Sequence, residues 1–351
     1  MNTTLLKKLC ETPGVSGREE RVRAVIEKEI KGIFDEVSTD AMGSLICRKK
    51  PAGGSKAKKT PQRIMLAAHM DEIGFYVKHI DEKGFLWVNP AGGFDTRNLF
   101  SRRVLVCSED GDFVGVMNPG GRPIHIARDE DKKKVPDISE FFIDLGMKSE
   151  EVKKRIHIGD FVVMHEPFIE QPMCVVSKAL DNRAACYLAI ESMRALAAKK
   201  AKPASEIVVV FTVQEEVGLR GAIAAANAVN ATIGIGLDVT LACDTPGVEE
   251  TERVTKQGAG VGIMLQDSSM IADYQLVREL INVAETHKIP YQRCILPRGG
   301  QDGAAIQRAN AGARTAAVVV GTRYIHTVTE MIDKGDLQAA VDLLAAWLAE
   351  A

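Results

Sequence analysis

Four short apolar segments constrain the fold more than any other feature of this 351-residue sequence. They are continuous runs rich in β-branched residues and too short for helices, at positions 63–68, 206–213, 232–237 and 315–320. Segments with helical apolar spacing alternate with them, at 18–30, 182–199, 219–229, 274–287 and 335–350. Continuous apolarity predicts strands that are buried on both faces, as in a mostly parallel α/β sheet flanked by helices.

The block from 73 to 172 has a different character. Its apolar stretches are short and separated by Gly, Asp and Pro, as in FYVKHI, GFLWVNPAGG, RRVLVCSEDGDFVGVMN and HIGDFVVMHEPFI. Only 149–155 has a weak helical pattern. This pattern predicts a β-rich domain at 73–172 inserted into an α/β domain formed by 1–72 and 173–351. The basic stretch 49–61, KKPAGGSKAKKTP, is expected to be an exposed loop.

Composition narrows the class of protein. Hydrophobic residues make up 46% of the chain, and the formal net charge of -2 gives no indication of a nucleic-acid partner. No apolar stretch approaches the roughly 20 residues of a membrane span, and the first residues, MNTTLLKKLCETPG, contain no apolar signal segment. Seven scattered cysteines without a CxxC pair are typical of reduced thiols. We therefore expect a cytoplasmic protein without membrane contact.

Residue types that bind metal ions follow the buried strands. His69 and Asp71 come after the first, Glu215 and Glu216 after the second, and the third ends at Asp238. The fourth leads through GTRYIHT to His326, and Asp181 stands just before the Ala-rich helix. Because the site of an open α/β sheet lies beyond the carboxyl ends of its strands, we expect all seven side chains to converge. Carboxylates and imidazoles without thiolate suit Zn²⁺, Co²⁺ or Mn²⁺.

Each of these residues also has a structural explanation when it is taken alone. An Asp before a helix is usually an N-cap, and an acid such as Glu215 is favoured near a helix N-terminus. Spacing adds to the metal-site interpretation, because residues two apart in extended chain point to the same side. Asp71 can therefore accept a hydrogen bond from the second ring nitrogen of His69. Glu215 and Glu216 point to opposite sides if extended, which allows them different roles.

With these motifs in order, the chain resembles the tetrahedral aminopeptidases, a family of dinuclear zinc metallopeptidases that includes the glutamyl aminopeptidases. The resemblance covers nearly the whole chain and rests on PGVSGREE, AHMDEIGF, KALDNR, QEEVGLRGA, GLDVT with DTPG, GGQDGAA and TRYIHT. It implies two divalent metal ions per subunit, Zn²⁺ first, with Co²⁺ or Mn²⁺ as alternatives. The implied roles are a bridging Asp181, His69 and Asp238 on one metal, Glu216 and His326 on the other, Glu215 as general base, and Asp71 orienting His69.

The resemblance also implies peptide substrates and self-association. The inserted domain would mediate a dimer, and dimers would assemble into a tetrahedral dodecamer. Three departures from the family pattern are visible: Thr327 and Val328 replace a Ser-Pro pair, Gln301 replaces a Thr, and Ser44 replaces an Asn. None of them removes an implied ligand, but the first two lie near the expected substrate site, so the family's substrate preferences do not transfer directly.

Two metals about 3.5–4 Å apart lower the pKa of a shared water from 15.7 toward about 7, so that Glu215 could take its proton during attack on a peptide carbonyl. Two other functions stay open at this stage. Paired acids also serve glycosidases, and relatives of this family have been labelled endoglucanases. Against this, the 2 Trp and 5 Tyr residues offer few sugar-stacking platforms. A non-catalytic assembly protein would require a broken site, and every expected ligand is present.

Overall fold

The computed structural model describes residues 1–52 and 62–351, so most of the expected exposed loop at 49–61 lies outside the described residues. All five helices expected from the sequence are present, with ends that differ by one or two residues. Two further helices, α1 and α7, are short and were not expected. The helices of the described residues are α1 Thr3–Glu11, α2 Glu20–Glu29, α3 Ser149–Arg155, α4 Leu180–Ala198, α5 Arg220–Val229, α6 Tyr274–Thr286, α7 Gly303–Arg308 and α8 Lys334–Glu350.

The strands divide between a large sheet and a closed barrel. Those of the large sheet are β1 Glu36–Thr39, β2 Leu45–Lys49, β3 Arg63–His69, β10 Ile169–Glu170, β11 Cys174–Ser177, β12 Glu206–Thr212, β13 Ile233–Leu241, β14 Val261–Gln266, β15 Tyr291–Ile295, β16 Arg314–Arg323 and β17 Glu330–Asp333. Those of the barrel are β4 Gly74–Ile80, β5 Leu86–Ala91, β6 Arg102–Ser108, β7 Gly111–Pro119, β8 Phe141–Asp144 and β9 Phe161–Met164.

The four apolar segments form the centre of the large sheet. Its order is β1-β2-β12-β3-β13-β16-β17-β11-β10, with β14 and β15 attached beside β16. The neighbours β12, β3, β13 and β16 are parallel, whereas β2 and β17 pair antiparallel with the outer members of this group. This centre confirms the predicted fold class, a largely parallel sheet in an α/β protein. The carboxyl ends of β12, β3, β13 and β16 therefore lie at one edge.

Both faces of the central strands are buried, as their continuous apolarity predicted. Along β3, Ile64 and Leu66 belong to the main core with α1, α2, α4, α6 and α8, while Met65 and Ala67 pack on the other face beside α5 and α7. This alternation follows from the two-residue period of a strand. Helices on both faces leave only the strand ends open to solvent.

The barrel closes in the order β4-β5-β8-β7-β6-β9 and has its own apolar core. Its strands run from Gly74 to Met164, inside the segment expected to be β-rich. The next strand, β10, already pairs with β11 of the large sheet. The boundaries at 72 and 173 and the role of this segment in dimerisation stay predictions. None of the helices in the described part of the chain has the length and apolarity needed to cross a membrane.

Candidate metal centre

The candidate ligands lie at different positions relative to the ends of their strands. Strand β3 ends at His69, and β12 ends at Thr212, three residues before Glu215. Gln214 has a left-handed backbone, with φ 56°, so the chain turns before the two glutamates instead of continuing extended. Asp238 does not end its strand, because β13 stays paired with β16 as far as Leu241 and Thr322.

Asp181 lies at the centre of the cluster. Its Oδ1 is 3.3 Å from His69 Nε2, and its Oδ2 is 3.4 Å from His326 Nε2. His326 Nε2 also lies 3.4 Å from Glu216 Oε2, and His69 Nε2 lies 4.0 Å from Asp238 Oδ1. The two carboxylate oxygens of Asp181 therefore face two different imidazoles, as a ligand shared by two cations would.

These side chains form overlapping groups of potential ligands. Within each group the ligand atoms lie within 4.8 Å of one another: His69, Asp181 and Asp238; Asp181, Glu216 and His326; and His69, Glu215 and Glu216. The first two groups share Asp181. The first adds His69 and Asp238, and the second adds Glu216 and His326. Glu215 then remains beside both groups, with its Oε2 3.8 Å from His69 Nε2. The arrangement fits two cations and one additional carboxylate.

The electrostatics of the cluster also fit divalent cations. Burial raises the pKa of Glu215, Glu216 and Asp238, and neighbouring carboxylates add to the effect. Burial opposes the charged imidazole of His69, yet the charge of Glu215 and the contacts with Asp181 and Asp71 hold its pKa well above 6.5. Glu216 Oε1 is buried without a hydrogen-bond partner among the described residues. Cations would offset this repulsion and give the oxygen a partner.

Asp71 anchors the turn that carries the two glutamates. Its Oδ1 accepts from the backbone N–H of Glu215 at 3.1 Å, and its Oδ2 accepts from that of Glu216 at 3.2 Å. Ser16 Oγ donates to Oδ2 at 2.6 Å. His69 Nδ1 lies 3.3 Å from Asp71 Oδ1 and 3.1 Å from the Asp71 backbone oxygen. Asp71 thus contacts His69, as spacing indicated, and also fixes the backbone of both glutamates, which spacing did not reveal.

Sequence reasoning missed other residues that support the cluster. Ser16 belongs to PGVSGREE, a motif of the family resemblance that implies no role for the serine. Glu19 accepts from the backbone N–H of Gln214 at 2.9 Å and so holds the turn from a distant part of the chain. Asp302, from GGQDG, accepts from the hydroxyl of Thr212 at the end of β12. The contacts of Ser16, Glu19 and Asp302 link residues at least 55 positions apart, so no local pattern could have indicated them.

A cavity of about 220 Å³ opens beside the ligand groups. Leu241, Leu296 and Ile325 supply apolar wall, and Arg298 supplies a guanidinium that pairs with no other described residue. The residues that differ from the family pattern, Ser44, Gln301, Thr327 and Val328, do not line this cavity. Gln301 is buried, and its amide donates to Asp267 Oδ2 at 3.0 Å.

Thr327 and Val328, which replace the Ser-Pro pair, lie on the barrel side of His326. Thr327 Oγ1 donates to the backbone oxygen of Tyr324 at 2.7 Å, and Val328 packs into the barrel core. Ser44 is buried, and its hydroxyl has no partner among the described residues. None of the replaced residues lines the 220 Å³ cavity, but Thr327 lines a second pocket together with Asp181 and His326.

Comparison with known proteins identifies the family of the chain. A lysyl aminopeptidase of Pyrococcus furiosus is 34% identical over 99% of this chain and 96% of its own length. An aminopeptidase structure from Desulfurococcus kamchatkensis matches 99% of this chain and 94% of that chain, with TM-score 0.92 and 34% identity. The TET1 peptidase of Pyrococcus horikoshii, described as able to assemble into a tetrahedron or a large octahedral shell, matches 99% and 98%, with TM-score 0.85 and 32% identity. The family model described as M42 glutamyl aminopeptidase matches residues 43–343, and the chain belongs to this family of peptidases.

Proposed function

We propose that this protein is a metal-dependent aminopeptidase with a two-metal centre, in which Glu215 is the general base. The observation that carries the proposal is the position of Asp181, whose two oxygens face His69 and His326 in two separate ligand groups. His69, Asp181 and Asp238 would hold one divalent cation, and Asp181, Glu216 and His326 the other. Zn²⁺ is the first candidate, since the donors are carboxylates and imidazoles.

Two cations held in this way would lower the pKa of a water toward about 7 and polarise the substrate carbonyl. Glu215 accepts the proton of the attacking water on its carboxylate and passes it to the leaving amine. Asp71 keeps this carboxylate in place because it binds the backbone N–H of Glu215. The side chain of the N-terminal residue would enter the cavity lined by Leu241, Leu296, Ile325 and Arg298.

The geometry supports a peptidase better than a glycosidase. Glycoside hydrolysis uses a pair of carboxyl groups and has no need of imidazoles between them. Here His69 and His326 each contact Asp181, and four carboxylates surround the two rings. No contact of the described residues favours a non-catalytic role.

Hydrolysis of aminoacyl-nitroanilides tests the proposed function. We expect release of nitroaniline that stops after treatment with a chelator and returns with Zn²⁺ or Co²⁺, because the carboxylate cluster needs cations to act. A matched substrate with an acetylated amine should not be cleaved, since an aminopeptidase requires the free amine. Cellulose hydrolysis that persists with chelator, without anilide hydrolysis, would overturn the proposal.

We also propose that the barrel segment, 73–172, mediates self-association to a dimer and on to a dodecamer. Ile124, Ile126 and Val135 of this segment are 63%, 68% and 58% exposed, which is costly unless another subunit covers them. The TET1 peptidase named above supports an assembly of this kind by its 32% identity.

Light scattering should therefore give a mass of at least twice the 38.1 kDa of one chain. Ile124→Asp is expected to lower that mass, because a carboxylate would be buried in the contact. Ile271→Asp, a change at an equally exposed isoleucine outside 73–172, is the control and should leave the mass unchanged. A monomeric parent protein at micromolar concentration would contradict the proposal.

A further inference from the structure

Glu330 lies beneath the candidate metal centre, and the roles assigned so far do not include it. It is the first residue of β17, and the whole residue is 2% exposed. Its Oε1 accepts from the backbone N–H of His326 at 2.8 Å, and its Oε2 accepts from the backbone N–H of Asp181 at 3.0 Å. One buried carboxylate therefore joins the main chains of two candidate ligands that are far apart in sequence.

Both of these backbone segments depart from regular structure. Asp181 and Asn182 have non-helical backbone angles, and they lie in the first turn of α4, where N–H groups have no partner within a helix. His326 has φ 64°, a left-handed conformation that is uncommon for residues other than glycine. A hydrogen bond to each N–H fixes the orientation of the attached side chain. Asp181 and His326 belong to the same ligand group, together with Glu216.

We propose that Glu330 is a positioning residue that sets the geometry of the group formed by Asp181, Glu216 and His326. It uses both carboxylate oxygens for this purpose and is itself absent from the groups of potential ligands. The inference rests on the proposed function, because it assumes that this group holds a cation. The other group shares only Asp181 with it and keeps His69 and Asp238, which Glu330 does not contact.

Glu330→Gln separates this role from simple packing. An amide has the same size but only one acceptor oxygen, so its NH₂ group would face one of the two backbone N–H groups. One ligand segment therefore loses its hydrogen bond and becomes free to move. Loss of residues that orient metal ligands typically costs 10–100-fold in metal affinity. We expect a loss of this size at the metal held with Glu216 and His326, and a smaller loss at the other metal, whose group shares only Asp181 with the first.

Asp336 provides a matched control. It is also 2% exposed, and its two oxygens accept from the backbone N–H of Gly258 at 2.8 Å and Gly260 at 2.7 Å. None of these residues is a candidate ligand. Asp336→Asn therefore removes the same kind of hydrogen bond at another place and should lower thermal stability without altering metal affinity.

The experiment is a Zn²⁺ titration of metal-free full-length protein against a competing chelating indicator, with bound metal counted by mass spectrometry. The expected result is two tight sites in the parent and in Asp336→Asn, and one weakened and one less affected site in Glu330→Gln. If Glu330→Gln does not fold, Glu330→Asp takes its place, since removing one methylene withdraws both oxygens and predicts the same selective loss. Two sites of parent affinity in the Glu330 variant would overturn the positioning role and leave the proposed function intact. A parent protein that binds no Zn²⁺ would overturn both.

Discussion

Glu215→Gln is expected to lower kcat by about 10²–10⁴-fold while the protein keeps both metals, which is the usual range for loss of a general base. Glutamine preserves the size of the side chain and its hydrogen-bonding capacity, but its amide cannot take up the proton of the attacking water. Glu215 remains beside the two ligand groups that share Asp181, so its removal should leave both groups complete. Steady-state rates together with metal content by mass spectrometry measure the two effects separately.

Glu216→Gln is the matched comparison, because the same substitution one residue later should act on the metal instead of the proton. Glu216 Oε2 lies 3.4 Å from His326 Nε2, within the second ligand group. A neutral amide is a weaker ligand than a carboxylate, so this variant should bind one metal less tightly. Part of its activity should return at high Zn²⁺ or Co²⁺, whereas that of Glu215→Gln should not.

The outcomes of this pair distinguish three cases. If Glu215→Gln loses a metal and Glu216→Gln keeps both, the roles are reversed. If both variants keep nearly full activity, the metallopeptidase proposal fails. Only the expected pattern, a slow variant with two metals beside a variant rescued by metal, supports Glu215 as the base.

The candidate ligands could be predicted from the sequence because each follows a feature with a clear pattern. His69 stands at the end of a short buried run, and the parallel arrangement of such runs brings their ends to one edge of the sheet. Which strands are parallel followed from their continuous apolarity. The resemblance to a family then gave roles to residues that spacing alone left ambiguous, such as Asp181, which resembles an N-cap.

The orientation of the glutamates could not be predicted in the same way. The expectation that Glu215 and Glu216 point to opposite sides assumed an extended chain, but Gln214 adopts a left-handed backbone just before them. That turn is held by Glu19 and Asp71, which come from other parts of the chain. Hydrogen bonds between distant segments produce no periodic signal, so the supporting residues, Glu330 included, became visible only in three dimensions.

Asp181→Asn is the second change for which we expect a very large effect, because Asp181 is the one residue common to both ligand groups that would hold the cations. Its Oδ1 faces His69 and its Oδ2 faces His326, and these contacts hold the pKa of the carboxyl below its usual value although burial opposes this. An amide offers one neutral oxygen and cannot serve both sides. Both metals should be lost, and activity should fall by more than the 10–100-fold typical of residues that only orient ligands.

His326→Ala is the control for Asp181→Asn. His326 belongs to only one of the two groups, so this substitution should cost one metal.

Thermal unfolding gives a measurement that is independent of activity. Free Zn²⁺ at 100 times its Kd stabilises a protein by about 2.7 kcal/mol for a single site. The parent should show such stabilisation, His326→Ala should show a reduced part of it, and Asp181→Asn should show none. The metal-free folded state should be weakened by Asp181→Asn, because the lowered pKa of Asp181 means that its charged carboxylate stabilises the fold through His69 and His326. The stabilisation by Zn²⁺ is therefore measured against the metal-free form of each variant. Two metals bound to Asp181→Asn with parent affinity would mean that the two groups do not share this residue.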